Sequence, residues 1–307
     1  MPLIEFLSDD KSIEAQPGES ILEAALRAGI PHTHVCGGKA RCTTCRVFLV
    51  EQAEGAVSAP LADEKLLADK LGFCDSVRLA CQAKVQGDIK TRRLVIDDED
   101  VDIALLNMSE EGGSFSSTGI EKSVAILFCD IREFTSFSDK LLPYDVIHML
   151  NRYFYSMRKI IEQHGGEILN YMGDGLLALF EEEDCTLSKE NSVRAAMRML
   201  DSMDDMQAYL QRTYGQGLQI GIGIHAGEVV IGSIDDTRKD KKLVIGDAVN
   251  VASRVESQNK QTGSRLLITE NVYESLKDKL EIGLTCSTEL KGKPGEYGLY
   301  EVLSIRS

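Results

Sequence analysis

Residues 167–180, EILNYMGDGLLALF, read as two short apolar strands on either side of the tight turn Gly173-Asp174-Gly175, and this hairpin decides the fold of the larger part of the chain. Ahead of it, VAILFCDI (124–131) is a near-continuous apolar run of the kind that forms a buried strand. Pro143 then opens a long helix on which Val146, Leu150, Tyr153, Met157 and Ile160 recur at three- and four-residue steps, and Gly165 ends it. Beyond the hairpin a second helix covers 188–213, LQIGIGIHAGEVVIG (218–232) reads as a further strand pair, and a shorter helix starts near Asp247. The order β-α-β-β-α-β is the split βαβ plan, a ferredoxin-like palm of the α+β class.

The front of the chain reads differently. LIEFLSDDKSIEA (3–15) has the pattern of a hairpin around SDDK, and PGES opens a helix whose apolar face is expected at Ile21, Ala24, Leu26 and Ala28, with Gly29 as its stop. CRVFLV (45–50), RLACQAKV (78–85) and TRRLVI (91–96) read as strands, and hairpins wrapped around one helix suggest a small β-grasp unit. Between the halves, DDEDVD (97–102) and SEEGGSFSSTG (109–119) are acidic, small and polar. The expected organisation is therefore a domain over 1–96, an acidic linker over 97–120 and a second domain over 121–307.

The totals narrow the function. A length of 307 residues suits two domains, and 43% hydrophobic with 27% charged residues is an ordinary globular balance. The longest apolar run, VAILFC, is too short to span a membrane, and MPLIEFLSDD lacks the basic start and apolar core of a secretory signal, so a cytoplasmic location is expected. A net charge of −15 argues against nucleic acid as a partner but not against a nucleotide substrate, because a bound divalent cation supplies local positive charge. Eight cysteines in a reducing compartment read better as metal ligands than as disulfides.

CGGKARCTTC (36–45) spaces three of them as C-x5-C-x2-C, and Cys81 follows thirty-five residues later. A zinc ribbon normally shows two C-x2-C pairs, whereas a 2Fe–2S ferredoxin uses three close cysteines and one remote one. Gly37 and Gly38 permit a tight turn that aims amide N–H groups at sulfur. The x5 spacing and RLACQ around Cys81 resemble the adrenodoxin-type branch of these ferredoxins over about residues 3–96. The resemblance implies a 2Fe–2S cluster on Cys36, Cys42, Cys45 and Cys81. Cys74 is then spare, and His32 and His34 are expected at the surface beside the cluster.

In the rear half no G-x4-G-K-[ST] loop occurs, and GIGIHAG does not match G-x-G-x-x-G. What remains is Asp130 at the end of a buried strand and Asp174 in the hairpin turn, which the palm plan sets side by side. Two carboxylates at that range repel unless a cation lies between them, and paired Mg²⁺ ions so held drive phosphoryl transfer. FCDIREFTSFSD, LNRYF, GGEILNYMGDGLLALF, GIGIHAGEVVIG and VIGDAVNVASRVE, in that order, resemble the class III adenylate/guanylate cyclases over about residues 121–304.

That resemblance implies two Mg²⁺ (or Mn²⁺) ions on Asp130 and Asp174, assisted by the Ile131 carbonyl, and a triphosphate cradled by the amides of 131–135, Phe134 and Thr135 among them. It implies Asn250 on the ribose, Arg254 on the α-phosphate and Lys291 (or the nearby Lys293) on the outer phosphates. Asn250 and Arg254 stand four apart on the expected helix and so share a face. The two base-reading positions are Asn170 and Leu243, which depart from the family's usual residues: the amide of Asn170 serves adenine or guanine, and Leu243 offers no side-chain hydrogen bond. ATP is the preferred substrate on this reading, with GTP as the alternative. In this family the aspartates come from one chain and the Asn/Arg pair from its partner, so a homodimer is implied. An exposed one-electron centre fused to a cyclase suggests redox control of output and a partner protein that exchanges electrons with it. A ferredoxin carrier with an inactive cyclase-like dimerisation module is the competing reading.

Overall fold

The computed structural model describes residues 1–95, 119–233, 242–290 and 295–306, and divides into two compact units, Met1–Ile120 and Glu121–Ser307. Most of the expected acidic linker lies outside the described residues; Gly119 and Ile120 already belong to a strand.

In the front unit, strands β1 (Leu3–Phe6), β2 (Lys11–Glu14), β3 (Arg46–Gln52), β4 (Val77–Leu79) and β5 (Ile89–Arg93) form one sheet in the order β2-β1-β5-β3-β4. β1 and β5 run parallel at its centre and the other pairs are antiparallel, which is the β-grasp arrangement. Helix α1 (Ile21–Arg27) lies against it and begins at a capping box. The Ser20 hydroxyl accepts from the Glu23 amide at 3.2 Å, and the Glu23 carboxylate accepts from the Ser20 amide at 2.7 Å. Its buried face is Ile21, Leu22, Ala24 and Ala25, not the expected Ile21, Ala24, Leu26 and Ala28. A helix of two turns rotates little, so neighbouring positions 21–22 and 24–25 enter the core together.

The expected strand 78–85 shrinks to β4. Its chain then turns, with the Gln82 and Ala83 amides both donating to the Leu79 carbonyl, and the turn is where Cys81 sits. Helix α2 (Ala62–Leu71) has no counterpart in the sequence reading, because its one buried residue is a charged one, Glu64. Glu64 pairs with Arg78 through two hydrogen bonds of 2.8 and 2.9 Å and also accepts from the Leu79 amide at 2.7 Å, so α2 is pinned to β4 by polar contacts that leave no apolar periodicity.

The rear unit is built on strands β6 (Gly119–Ile131), β7 (Gly166–Met172), β8 (Gly175–Phe180), β9 (Ile220–Ser233), β10 (Lys242–Ile245), β11 (Leu266–Thr269), β12 (Leu280–Glu289) and β13 (Glu296–Ile305). The sheet order β12-β13-β11-β9-β6-β8-β7, with β10 paired to β9, contains the palm as β9-β6-β8-β7. Helices α3 (Phe134–Ser138), α4 (Pro143–Gln163), α5 (Cys185–Tyr214), α6 (Asp247–Thr262) and α7 (Glu270–Leu276) complete it. α4 buries Met149, Tyr153, Met157, Ile160 and Ile161, one step round from the expected Val146 and Leu150, against a core that includes Leu127, Phe180, Met199 and Ile222.

The segment 218–232 is one strand, β9, and not a strand pair. Its first half pairs parallel with β11 and its second half antiparallel with β10. Its glycines serve close packing: a Cβ on Gly223 would stand 2.1 Å from the Glu256 amide nitrogen, and one on Gly227 would stand 2.8 Å from the Ala248 Cβ. α6 therefore lies directly on β9.

Candidate functional site

The front site is set by backbone conformation. Gly37 and Gly38 adopt left-handed φ values of +64° and +80°, and Ala40 does so too at +54°, a residue whose Cβ makes that conformation unfavourable. The loop so shaped brings the four thiols into two hydrogen-bonded pairs, Cys36 with Cys42 and Cys45 with Cys81. Within each pair one sulfur carries the proton. The hydrogen bond from Cys42, with amides of Arg41, Lys39 and Cys42, holds Cys36 down to about 5. The bond from Cys45 lowers Cys81 to about 7, assisted by Gln82 and the Ala40 amide. Their partners Cys42 and Cys45 are correspondingly pushed up, chiefly by those same bonds. Gln82 Nε2 also donates to the Gly38 carbonyl at 3.0 Å and so ties the turn that carries Cys81 to the loop.

Among the described residues no three His, Cys, Asp or Glu side chains already stand at the spacing of a single-ion site. Two pairs of sulfurs, each with one thiolate stabilised by amides, suit a group with two irons that takes two sulfurs at each. Cys74 is exposed and apart from these pairs. His32 and His34 are not at the surface: they are 1% and 6% exposed. Burial first, and the Arg93 charge next, lower His32 to about 3, so its ring is neutral and acts as core. Arg93 itself is held by Asp9 and the Pro31 carbonyl.

The rear site begins where β6 and β8 pair in the register Cys129 to Leu176, which sets Asp130 beside the β7–β8 turn. A Cβ on Gly175 would lie 3.1 Å from both Asp130 Oδ1 and the Cys129 carbonyl, so that position has little room for a side chain. The Asp130 and Asp174 carboxyl groups share a hydrogen bond, and Asp174 is raised to about 6 by burial first and the Asp130 charge next. Two carboxylates that repel one another, with only the weaker charge of Lys260 acting against the rise of Asp174, form a donor set suited to hard divalent cations. Behind them Cys129 Sγ and the Tyr153 hydroxyl meet at 3.2 Å in full burial, and burial pushes both groups up.

After Ile131, which is buried, the chain passes through Glu133 at φ +55° into α3, whose first amides have no side-chain cap. The Arg132 amide is already committed to the Gln219 carbonyl at 2.7 Å, so of the expected cradle 131–135 that donor is spent. Phe134 packs its ring against the core and Thr135 is exposed. A cavity of about 770 Å³ opens beside this loop; Arg132, Glu133 and Lys260 line it, whereas Asp130 and Asp174 do not.

Asn250 and Arg254 lie one turn apart on α6; Asn250 is exposed, and Arg254 Nη1 is buried with no hydrogen-bond acceptor. Asn170 is exposed on β7 at a register irregularity, and Leu243 is half-buried on β10 opposite Gly232. Lys291 and Lys293 lie outside the described residues. Sequence reasoning passed over Glu256, which is 7% exposed and raised to about 7 by burial first and the charge of Asp130 next. The available signal was a charged residue beside the apolar stripe 248, 251, 252 and 255 of α6.

Comparison with known proteins finds a family for each unit. The model of the adenylate and guanylate cyclase catalytic domain matches residues 118–303, and that of the 2Fe-2S iron-sulfur cluster binding domain matches residues 5–86. An adenylate cyclase of Anabaena cylindrica is 39% identical over 186 residues, which are 59% of this chain and 37% of that protein. The terminal-differentiation-specific adenylate cyclase of Dictyostelium discoideum is 38% identical over 185 residues, 59% of this chain and 9% of that one. This chain thus spans well under half the length of either relative. Among solved structures, the guanylyl cyclase Cya2 superposes with a TM-score of 0.57 at 31% identity, covering 61% of this chain and 95% of that one. The adenylyl cyclase CyaB from P. aeruginosa does so at 0.56 and 26% identity, covering 61% and 97%. The chain belongs to the family of adenylate and guanylate cyclase catalytic domains, here preceded by a 2Fe-2S iron-sulfur cluster binding domain.

Proposed function

We propose that the protein is an adenylate cyclase that converts ATP to 3′,5′-cyclic AMP and diphosphate, with output set by the redox state of a 2Fe–2S cluster on Cys36, Cys42, Cys45 and Cys81. The observation that carries the catalytic part is the hydrogen-bonded Asp130–Asp174 pair at the centre of the palm, in which burial first and the Asp130 charge next raise Asp174 against the weaker pull of Lys260.

Asp130 and Asp174, with the Ile131 carbonyl, are the residues that would hold two Mg²⁺ or Mn²⁺ ions. Bound there, divalent cations lower the pKa of a sugar hydroxyl and neutralise phosphate charge. The chain's own groups do the rest. The uncapped amides at the start of α3 receive the triphosphate. Asn250 orients the ribose, and the unpartnered Arg254 Nη1 donates to the α-phosphate oxygen on which charge builds. Lys291 contacts the outer phosphates. The 3′-oxygen forms its bond to the α-phosphorus as the bond from that phosphorus to the bridging oxygen breaks; diphosphate leaves, and the hydroxyl proton passes to solvent.

Asn250 and Arg254 sit on one helix and the aspartates at a strand end and hairpin turn, with no described contact between the two sets. This supports a homodimer in which each site takes its aspartates from one chain and its Asn/Arg pair from the other. ATP is favoured because both relatives above carry the name adenylate cyclase, and GTP is the second reading because Cya2 is a guanylyl cyclase and the exposed Asn170 amide pairs with either base. No helix among the described residues is long and apolar enough to cross a membrane, which supports the cytoplasmic reading made from the sequence.

The test is incubation of anaerobically purified protein with ATP or GTP and Mn²⁺, followed by identification of the product. Cyclic AMP from ATP is expected; no cyclic nucleotide from either would refute the catalytic reading. Equal rates with the cluster oxidised and reduced would remove the regulatory one.

A further inference from the structure

Among the buried residues of α6, Glu256 alone carries a charge, and its Oε1 is buried with no hydrogen-bond partner. It faces the guanidinium of Arg132 across Gly221: a Cβ there would stand 2.6 Å from Arg132 Nη2 and 2.8 Å from Glu256 Oε1. The two side chains thus flank the space that any larger residue at 221 would fill. Arg132 is held at both ends of this gap. Its amide donates to the Gln219 carbonyl at 2.7 Å, and its Nη2 donates to the Ser264 carbonyl at 3.1 Å.

The position of Arg132 gives the arrangement its consequence. It is the second residue after Asp130 and the nearest arginine to it in sequence. A guanidinium free to swing toward the aspartates would neutralise them and compete with a cation for them. A buried carboxylate on α6 beside the same Gly221 position attracts that guanidinium and so opposes such a swing.

We propose that Glu256 is a positioning residue that acts through Arg132 to hold the Asp130–Arg132 loop in its cation-accepting geometry, with Gly221 leaving open the space that the two side chains flank. The proposal rests on the reading of Asp130 and Asp174 as the divalent-cation site. A glutamate with only a packing role would affect stability without affecting the cation.

The experiment measures bound Mn²⁺ by electron paramagnetic resonance on the full chain in the presence of 3′-deoxy-ATP, which lacks the attacking hydroxyl, so the readout is binding and not turnover. E256Q is expected to weaken Mn²⁺ binding about tenfold, the usual scale for a group that orients a metal ligand. R132Q is expected to bind at least as tightly as wild type. The double variant is expected to regain most of what E256Q loses, because no guanidinium remains to compete. Gly221→Ala, which pushes the two side chains apart without changing charge, is expected to weaken binding as well. Thermal unfolding checks that each variant is folded; should E256Q not fold, R132Q and Gly221→Ala decide the question. Wild-type Mn²⁺ affinity in E256Q, or in Gly221→Ala if E256Q does not fold, or a double variant as weak as E256Q, would overturn the proposal. Wild-type binding that D130N leaves unchanged would instead refute the cation-site reading beneath it.

Discussion

In the front unit four thiols meet in two pairs, and in the rear unit two carboxylates meet in one. In each thiol pair the hydrogen bond from the partner sulfur, assisted by backbone amides, lowers one member, Cys36 or Cys81. In the aspartate pair the balance runs the other way: burial and the Asp130 charge raise Asp174 against one amide and the charge of Lys260. The front site is complete within a loop and one remote turn. The rear unit brings only the two aspartates together, and on the proposed reading a cation and a second chain supply the rest.

The largest expected effect breaks the rear site. Asp130→Ala or Asp174→Ala should lower cyclic nucleotide formation by about a thousandfold or more, the scale expected when several kcal/mol of metal-assisted stabilisation is lost. A rate within tenfold of wild type would contradict the assignment of that residue. The matching change in front is Cys81→Ser. Iron content and visible absorbance should fall together, while cyclase activity should persist and lose its response to reductants; full iron retention would remove Cys81 from the ligand set.

A stability measurement tests the packing that carries Asn250 and Arg254. Gly223→Ala would place a methyl 2.1 Å from the Glu256 amide nitrogen, and it should destabilise the protein by about 1–3 kcal/mol in denaturant unfolding. An unchanged midpoint would mean that α6 does not lie on β9 as described.

The smallest effect concerns protons. Asp174 binds its proton more tightly folded, at about 6, than at its ordinary value of 3.8. Its contribution to the stability of metal-free protein is therefore fully present below 3.8 and lost as pH rises through about 6. Relative to Asp174→Asn, the metal-free wild type should lose stability over that window, and Mn²⁺ should cancel the loss. Parallel pH profiles without metal would show that the carboxyl pair is not coupled.

Legibility in the sequence followed the kind of interaction. The front domain was readable because C-x5-C-x2-C is a local pattern, and the β7–β8 hairpin because Gly173-Asp174-Gly175 is a turn signal in itself. α2 was not readable, because Glu64 attaches it through a buried ion pair and no apolar stripe marks it. The segment 218–232 was read as two strands, and the single strand β9 keeps its glycines because α6 packs directly on them. His32 and His34 were misplaced because polar side chains enter a core only where tertiary contacts exist to receive them. Glu256 escaped for the same reason: its significance lies in facing Arg132 across a gap that exists only in the folded chain.

The central claim is that aspartates from one chain and an arginine from its mate share one nucleotide. Mixing and re-equilibrating D130A with R254A tests it most directly, since each variant alone should be inactive. Random exchange makes half the dimers mixed, each with one intact site, so about a quarter of wild-type turnover should return. No recovery in dimers shown to have exchanged subunits would contradict the claim.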